Sequence, residues 1–207
     1  ELLKGFAVLL VFLIFRREFD SILDGIVYAA ITALGFAATE NAYYIFSYGF
    51  AEDGLAGGFF LVFIRVFLVG WQHPFYTAFI GIGLALARLN RNWLVKIFAP
   101  LTGLALAIFT HSFHNTLATF LPGTAGLAIG TIIDWSGWLV MFLFVLWALY
   151  REQRWITTHL REEISLGVLN PAQYRTACSA WAQTAARTKA LFSGRYRTTA
   201  RFYQLTA

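Results

Sequence analysis

Four polar side chains interrupt apolar stretches of this sequence: Glu40, His73, His111 and Asn115. A carboxylate can take a proton from water, an imidazole can hold that water, and a carboxamide can donate to an oxyanion. Together they are the parts of a buried hydrolytic centre. An ionised residue at the centre of a membrane helix costs about 2.5–3.5 kcal/mol on insertion scales, so such residues mark function by default. His111 and Asn115 are spaced i, i+4 and share one helix face, with His114 offset around the helix. His73 precedes Pro74, whose ring disfavours helix for its predecessor and suits a helix start, so the chain is expected to kink or restart there. Irregular backbone at that depth is tolerated where it is buried in protein or lines a water-filled cavity. Each residue also has a plainer role. Asn41 could be a helix–helix hydrogen bonder, His73 could satisfy a freed carbonyl, and the His111/Asn115 pair could be polar glue.

The elements that must position these groups are membrane helices. Of 207 residues, 58% are hydrophobic and 13% charged, and the mean hydropathy is +0.62. Soluble domains are about 25% charged. A span needs about 20 apolar residues, and five segments approach that: Leu2–Phe15, Ile22–Tyr48, Val66–Leu86, Ile97–Phe120 and Ile129–Tyr150. The fold expected is all-α, a polytopic transmembrane helix bundle over residues 1–150 with a helical, basic tail over 151–207. The chain opens at Glu1 inside an apolar run, without Met or a signal peptide, and is expected to continue a longer protein at that end. A single cysteine, Cys178, excludes an intrachain disulfide and a cysteine-based metal site.

Charge orients the bundle. Arg16/Arg17, Arg88/Arg91/Lys96 and the tail fall on one side, and Glu52/Asp53 with the LPGTAG loop (121–126) on the other. Residues 151–207 hold nine of the Lys/Arg against three Glu, which places the tail in the cytoplasm. The net charge of +5 is of the kind membrane proteins carry, and nucleic acid is not expected as a partner. In the tail, 151–166 reads as an amphipathic helix, GVLNP (167–171) as a stop and restart, 171–192 as a second helix, Gly194 as a break and Tyr196–Leu205 as a third helix. The basic tail suits anionic lipid headgroups.

Depth brings the polar groups into one layer. At a rise of about 1.5 Å per residue, Glu40 lies about 12 Å below the outer face, and His73 and His111 lie at similar depths. Glu1 belongs near the outer end of the first helix. The stripes Ala30/Ala33/Ala37, Thr77/Gly81/Ala85 and Gly103/Ala107 give each helix a small face for close approach. Asp24 and Asp134 fall near segment ends and are expected at the interface, as is Arg65. His159 belongs to the solvated tail.

The run DGIVYAAITALGFAATENAYYIF (24–46), then Arg65 followed by HPFYTAFIGIGLA (73–85), then FTHSFHNTLA (109–118), resembles the PrsW family of bacterial intramembrane proteases. That family lies in a wider superfamily with the CAAX prenyl proteases and the Aph scaffold subunit of gamma-secretase. The resemblance covers residues 1–150, and GVLNPAQY in the tail is similar to the family's extension. A Glu-Glu-x-x-Lys motif of the family is matched here by Glu1 and Lys4, with its first glutamate expected upstream. The resemblance implies a catalytic set of Glu1, Glu40, His73, His111 and Asn115, supported by Lys4, Asn41 and Tyr44. It implies a membrane-embedded protein substrate such as an anti-sigma factor, the lipid bilayer as surroundings, and the bacterial cytoplasmic membrane as location.

Two versions of the chemistry follow. In one, Glu1 or Glu40 activates water with His73, and Asn115 with His111 stabilises the oxyanion. In the other, His73, His111 and Glu40 hold zinc and Glu1 is the base. No HExxH pattern decides between a zinc enzyme and a metal-independent one. The competing function is a non-catalytic scaffold or accessory subunit of a membrane complex. A proton pathway would need polar residues running to both faces, and the cytoplasmic halves of the spans are almost purely apolar.

Overall fold

The computed structural model describes residues 1–121 and 123–205; Pro122 of the LPGTAG turn, Thr206 and Ala207 lie outside them. Among the described residues there is no strand. The chain forms two compact units, Glu1–Val145 and Leu146–Ala207.

The first unit is built from α1 (Leu2–Ile14), α2 (Ile22–Tyr44), α3 (Ala51–Val62), α4 (Gln72–Leu89), α5 (Trp93–Phe120) and the first part of α6 (Gly123–Ser165). Among the described residues, three stretches are long and apolar enough to cross a membrane: Ile22–Leu89, Trp93–Leu117 and Gly123–Ser165. A shorter apolar helix is α1. Large apolar side chains stand exposed around the unit, Leu3, Ile31, Phe59 and Val140 among them. A water-soluble surface does not present apolar area on that scale, and a lipid-facing one must.

The stretch from α2 to α4 is a helical hairpin. Two wide turns of π-helix, Ile45–Phe50 and Phe63–Leu68, flank α3, and the chain reverses inside α3 at Asp53 and Gly54. Gly54 has φ +63°, the left-handed region that favours glycine. Above the turn the arms touch backbone to backbone: a methyl on Gly57 would lie 2.6 Å from the Gly49 carbonyl oxygen. Val66 is therefore not the start of a span. The inward arm runs through the π-turn, breaks at Val69–Trp71 and restarts as α4 at Gln72, next to His73 and Pro74 as their order predicts.

Close approach through small residues sets the bundle. α2 and α4 cross where Gly25 meets Gly81, and α4 and α5 cross where Gly83 meets Ala99 and Gly103 meets Phe79. The buried stripe on α2 is Gly25, Ala29, Ala33 and Ala37, one residue off the expected stripe at Ala30. Beside it, Val8, Phe12, Phe19, Ile80, Leu84 and Ala107 form the apolar core. Asp24, near a segment end as expected, closes a capping box with Ser21 at the start of α2, its carboxylate accepting from Ser21 N at 2.7 Å. The basic loops share one end, since Arg88 Nε donates to Arg16 O at 3.4 Å.

In the second unit α6 ends at Ser165, and α7 (Pro171–Ala177), α8 (Ala180–Phe192) and α9 (Tyr196–Leu205) follow. Asn170 caps α7 with Pro171 in its first turn. The single helix expected over 171–192 is two helices. Ser179 caps a new start by accepting from Ala182 N at 3.3 Å, and the Cys178 carbonyl accepts from Gln153 instead of continuing the ladder. Ile156, Leu169, Ala177, Ala190 and Tyr203 are buried within this unit.

Candidate functional site

An alternating chain of charged and polar groups links the helices at one level. Arg65 Nη2 donates to Glu40 Oε2 at 2.7 Å, and the same oxygen lies 2.9 Å from His73 Nε2. His73 Nδ1 lies 3.2 Å from Lys4 Nζ, and Lys4 is ion-paired with Glu1. Glu1 Oε1 meets His111 Nδ1 at 2.8 Å, across 110 residues of sequence. Its other oxygen accepts from Thr77 Oγ1 at 3.1 Å. Each carboxylate thus has a cation beside it, Arg65 at Glu40 and Lys4 at Glu1, which is how charges survive in a low-dielectric interior.

Each member is placed by local structure. Glu40 projects from the last turns of α2, below the π-turn. The second π-turn brings Arg65 back beside it, where Arg65 Nε also donates to Asn41 Oδ1 at 2.9 Å and the guanidinium sits 4.0 Å from the Tyr44 ring centre. The helix restart sets His73 on the first turn of α4. Lys4 is one turn into α1, only 3% exposed, with its ammonium 4.7 Å from the Phe36 ring centre.

Aromatic packing fixes the imidazoles. Tyr76 stacks on His111 with ring centres 5.0 Å apart and planes 14° apart, and the His73 and His111 rings meet edge to face at 5.3 Å. Tyr76 also borders His114 at 6.0 Å. His114 Nδ1 lies 2.7 Å from Asp134 Oδ2, off the line of an aligned hydrogen bond and an ion pair only when the imidazole is protonated. Asp134 is 7% exposed and comes from α6, whose Trp135 donates to Leu68 O at 2.9 Å. The expectation of Asp134 at an interface is therefore corrected: it faces the protein interior. Arg65 is corrected likewise, from interface marker to partner of Glu40.

Among the described residues, a cavity of about 200 Å³ is lined by His114 and Asp134, and two larger ones border the chain of polar groups. One of about 360 Å³ is lined by Glu40, Tyr44, Arg65, His73, Tyr76, His111, His114 and Asn115, among others. Another of about 500 Å³ opens beside Glu1, Lys4 and Phe36 and is also lined by His111 and Asn115. Asn115 therefore borders both spaces from the exposed side of α5.

Of the residues singled out from sequence, Glu1, Lys4, Glu40, Asn41, Tyr44, His73, His111 and Asn115 all fall in this region. The donor atoms of Glu1, His73 and His111 lie within 4.8 Å of one another. The zinc version of the chemistry places the ion on His73, His111 and Glu40; here Glu1 is the third donor of the compact group, and Glu40 is held by Arg65. Asp134, expected only at an interface, Thr77, expected only in a packing stripe, and Tyr76, not singled out, all join this region. Tyr76 carried a signal in its spacing, three residues after His73 on the same helix face. Asp134 carried one in its depth within an apolar stretch, of the kind already applied to Glu40.

Residues 1–149 match the family described as PrsW family intramembrane metalloprotease. The chain is 29% identical over 157 residues, 74% of its length, to a protein named Protease PrsW from Oceanobacillus iheyensis. The match spans 62% of that relative's length. No solved structure matches the chain.

Proposed function

The chain belongs to the PrsW family of intramembrane metalloproteases, and from that premise we propose that its first unit hydrolyses peptide bonds of membrane-anchored proteins. The observation that carries this reading is the connected chain Arg65–Glu40–His73–Lys4–Glu1–His111 beside a cavity that Asn115 also lines. Peptide hydrolysis in a bilayer needs a base, an oxyanion stabiliser and a space that holds water. Glu40, fixed by Arg65 and His73, or Glu1, fixed by Lys4, Thr77 and His111, takes the proton of the attacking water. His73 orients that water. Asn115 donates to the oxyanion together with His111, whose Nδ1 is already engaged by Glu1.

The family description implies a metal. Two imidazole nitrogens and one carboxylate oxygen within 4.8 Å suit zinc with a fourth position for water, so Glu1, His73 and His111 fit as its holders. A zinc ion bound there would lower the pKa of its water. Lys4 bears on this fit, because its ammonium contacts both Glu1 and His73 and supplies positive charge at the same place.

The substrate class that this implies is a single-span protein such as an anti-sigma factor, cut in the outer half of the bilayer. The basic loops that meet at one end, together with the basic tail, support a bacterial cytoplasmic membrane with that end and the tail inside. The test is cleavage of a co-expressed single-span reporter by the full-length protein. Loss of cleavage with His111→Ala and Glu40→Gln is expected.

A scaffold or accessory role in a membrane complex is the second reading, because both Glu1 and Glu40 are fully ion-paired, as a structural polar core requires. It predicts that the same substitutions lower stability without altering any cleavage.

A further inference from the structure

We propose that His114, held by Asp134, is the acid that protonates the departing amine during peptide hydrolysis; this rests on the peptidase reading above. His114 lines the same cavity of about 360 Å³ as Glu40, His73, His111 and Asn115. Its Nδ1 is 2.7 Å from Asp134 Oδ2. Asp134 is 7% exposed, so the contact holds one edge of the imidazole against a buried carboxylate of α6.

Other groups of the layer are committed elsewhere. His73 faces Lys4 through Nδ1 and Glu40 through Nε2. His111 faces Glu1 through Nδ1. Among the described residues, His114 Nε2 has no hydrogen-bond partner, and the imidazole borders the cavity. Tyr76 lies against both imidazoles, with ring centres 5.0 Å from His111 and 6.0 Å from His114, so the two histidines are held as separate groups around one phenol.

An amide nitrogen must gain a proton as the C–N bond breaks. The water oxygen bonds to the carbonyl carbon and its proton goes to the glutamate. The C–N bond then breaks, and the nitrogen takes the Nε2 proton of the His114 imidazolium. The products are a carboxylic acid and an amine. The neutral imidazole keeps Nδ1–H toward Asp134, and the proton held by the glutamate returns to Nε2 through the hydrated cavity. A purely structural His114–Asp134 contact would join α5 to α6 and would not sort substrates by leaving group.

The experiment uses the full-length protein in proteoliposomes and a single-span peptide cut by the wild type. That peptide is made with either the amide or an ester at the mapped scissile bond. An alkoxide departs with less help than an amine anion, so the ester needs the acid less. His114→Gln is expected to lower amide cleavage about 100-fold or more, within the range of general acid catalysis, and ester cleavage by less than about tenfold. Asp134→Asn is expected to act in the same direction with smaller effect. Retained ester cleavage also reports that the variant is folded. Equal loss of amide and ester cleavage in both variants, or no loss of amide cleavage in His114→Gln, overturns the proposal. Cleavage of no single-span peptide by the wild type overturns the peptidase reading itself, and this proposal with it.

Discussion

Arg65 and Glu40, 25 residues apart, are joined Nη2 to Oε2 at 2.7 Å, and this contact ties the returning arm of the hairpin to α2. The guanidinium also reaches Asn41 through Nε at 2.9 Å, a fork that an ammonium cannot reproduce. Arg65→Ala leaves the Glu40 carboxylate with His73 alone. The expected cost is about 2–3 kcal/mol in thermal or denaturant unfolding, below that of a fully buried pair because both side chains keep some exposure. Reporter cleavage should fall further than stability does. Arg65→Lys should recover stability in part and cleavage less. Wild-type cleavage in Arg65→Ala would remove Glu40 from the chemistry.

Lys4 lies between two of the three donors that suit zinc. An ammonium and a divalent cation repel each other at that range, so Lys4 competes with metal for Glu1 and His73. Lys4→Gln is expected to tighten binding of added zinc to the purified protein by about tenfold or more, equal to about 1.4 kcal/mol. Titration calorimetry or a competing chelator measures it. Glu1→Gln and His73→Ala should each abolish the gain. Unchanged affinity in Lys4→Gln would place any metal elsewhere.

Asn115 borders both cavities, and its carboxamide is the neutral donor of the group. Removing one oxyanion donor costs about 100- to 1,000-fold in turnover in well-studied hydrolases. Asn115→Ala is expected to lower turnover of the reporter by that order and to leave KM and the unfolding midpoint nearly unchanged, because Asn115 stands at an exposed position. A change in KM alone would make Asn115 a binding group.

Much of the site was legible because membrane burial makes polar residues conspicuous. Glu40, His73 and His111 stood out by their type against apolar neighbours, and the Pro74 ring announced the restart of α4. The stripes at Gly81 and Gly103 gave the crossing faces. The partners were harder to read. Arg65 looked like an interface residue because its arm was taken as the start of a span; only the reversal at Gly54 and the two π-turns bring it back to Glu40. Asp134 was hidden by a depth count that put it near a segment end, whereas α6 runs on from Gly123 to Ser165. The break at Cys178 and Ser179 has another origin, a capping serine together with Gln153 reaching the Cys178 carbonyl from another helix.

The crossing of α2 and α4 gives a final prediction that separates packing from chemistry. A methyl on Gly81 would lie 2.0 Å from the Gly25 carbonyl oxygen and 2.8 Å from the Ala29 Cβ, so the helices must part rather than a side chain swing away. Overpacking of this kind costs about 1–3 kcal/mol. The same helices carry Glu40 and His73, which meet at 2.9 Å. Gly81→Ala should therefore lower the unfolding midpoint and reduce cleavage together, although Gly81 has no side chain to take part in the chemistry. Gly35, in the middle of α2, has open space where its Cβ would stand. Gly35→Ala should be neutral or stabilise by about 0.5–1 kcal/mol, because glycine is a poor residue for a helix interior. A Gly81→Ala protein as stable and active as Gly35→Ala would show that the helices do not cross here.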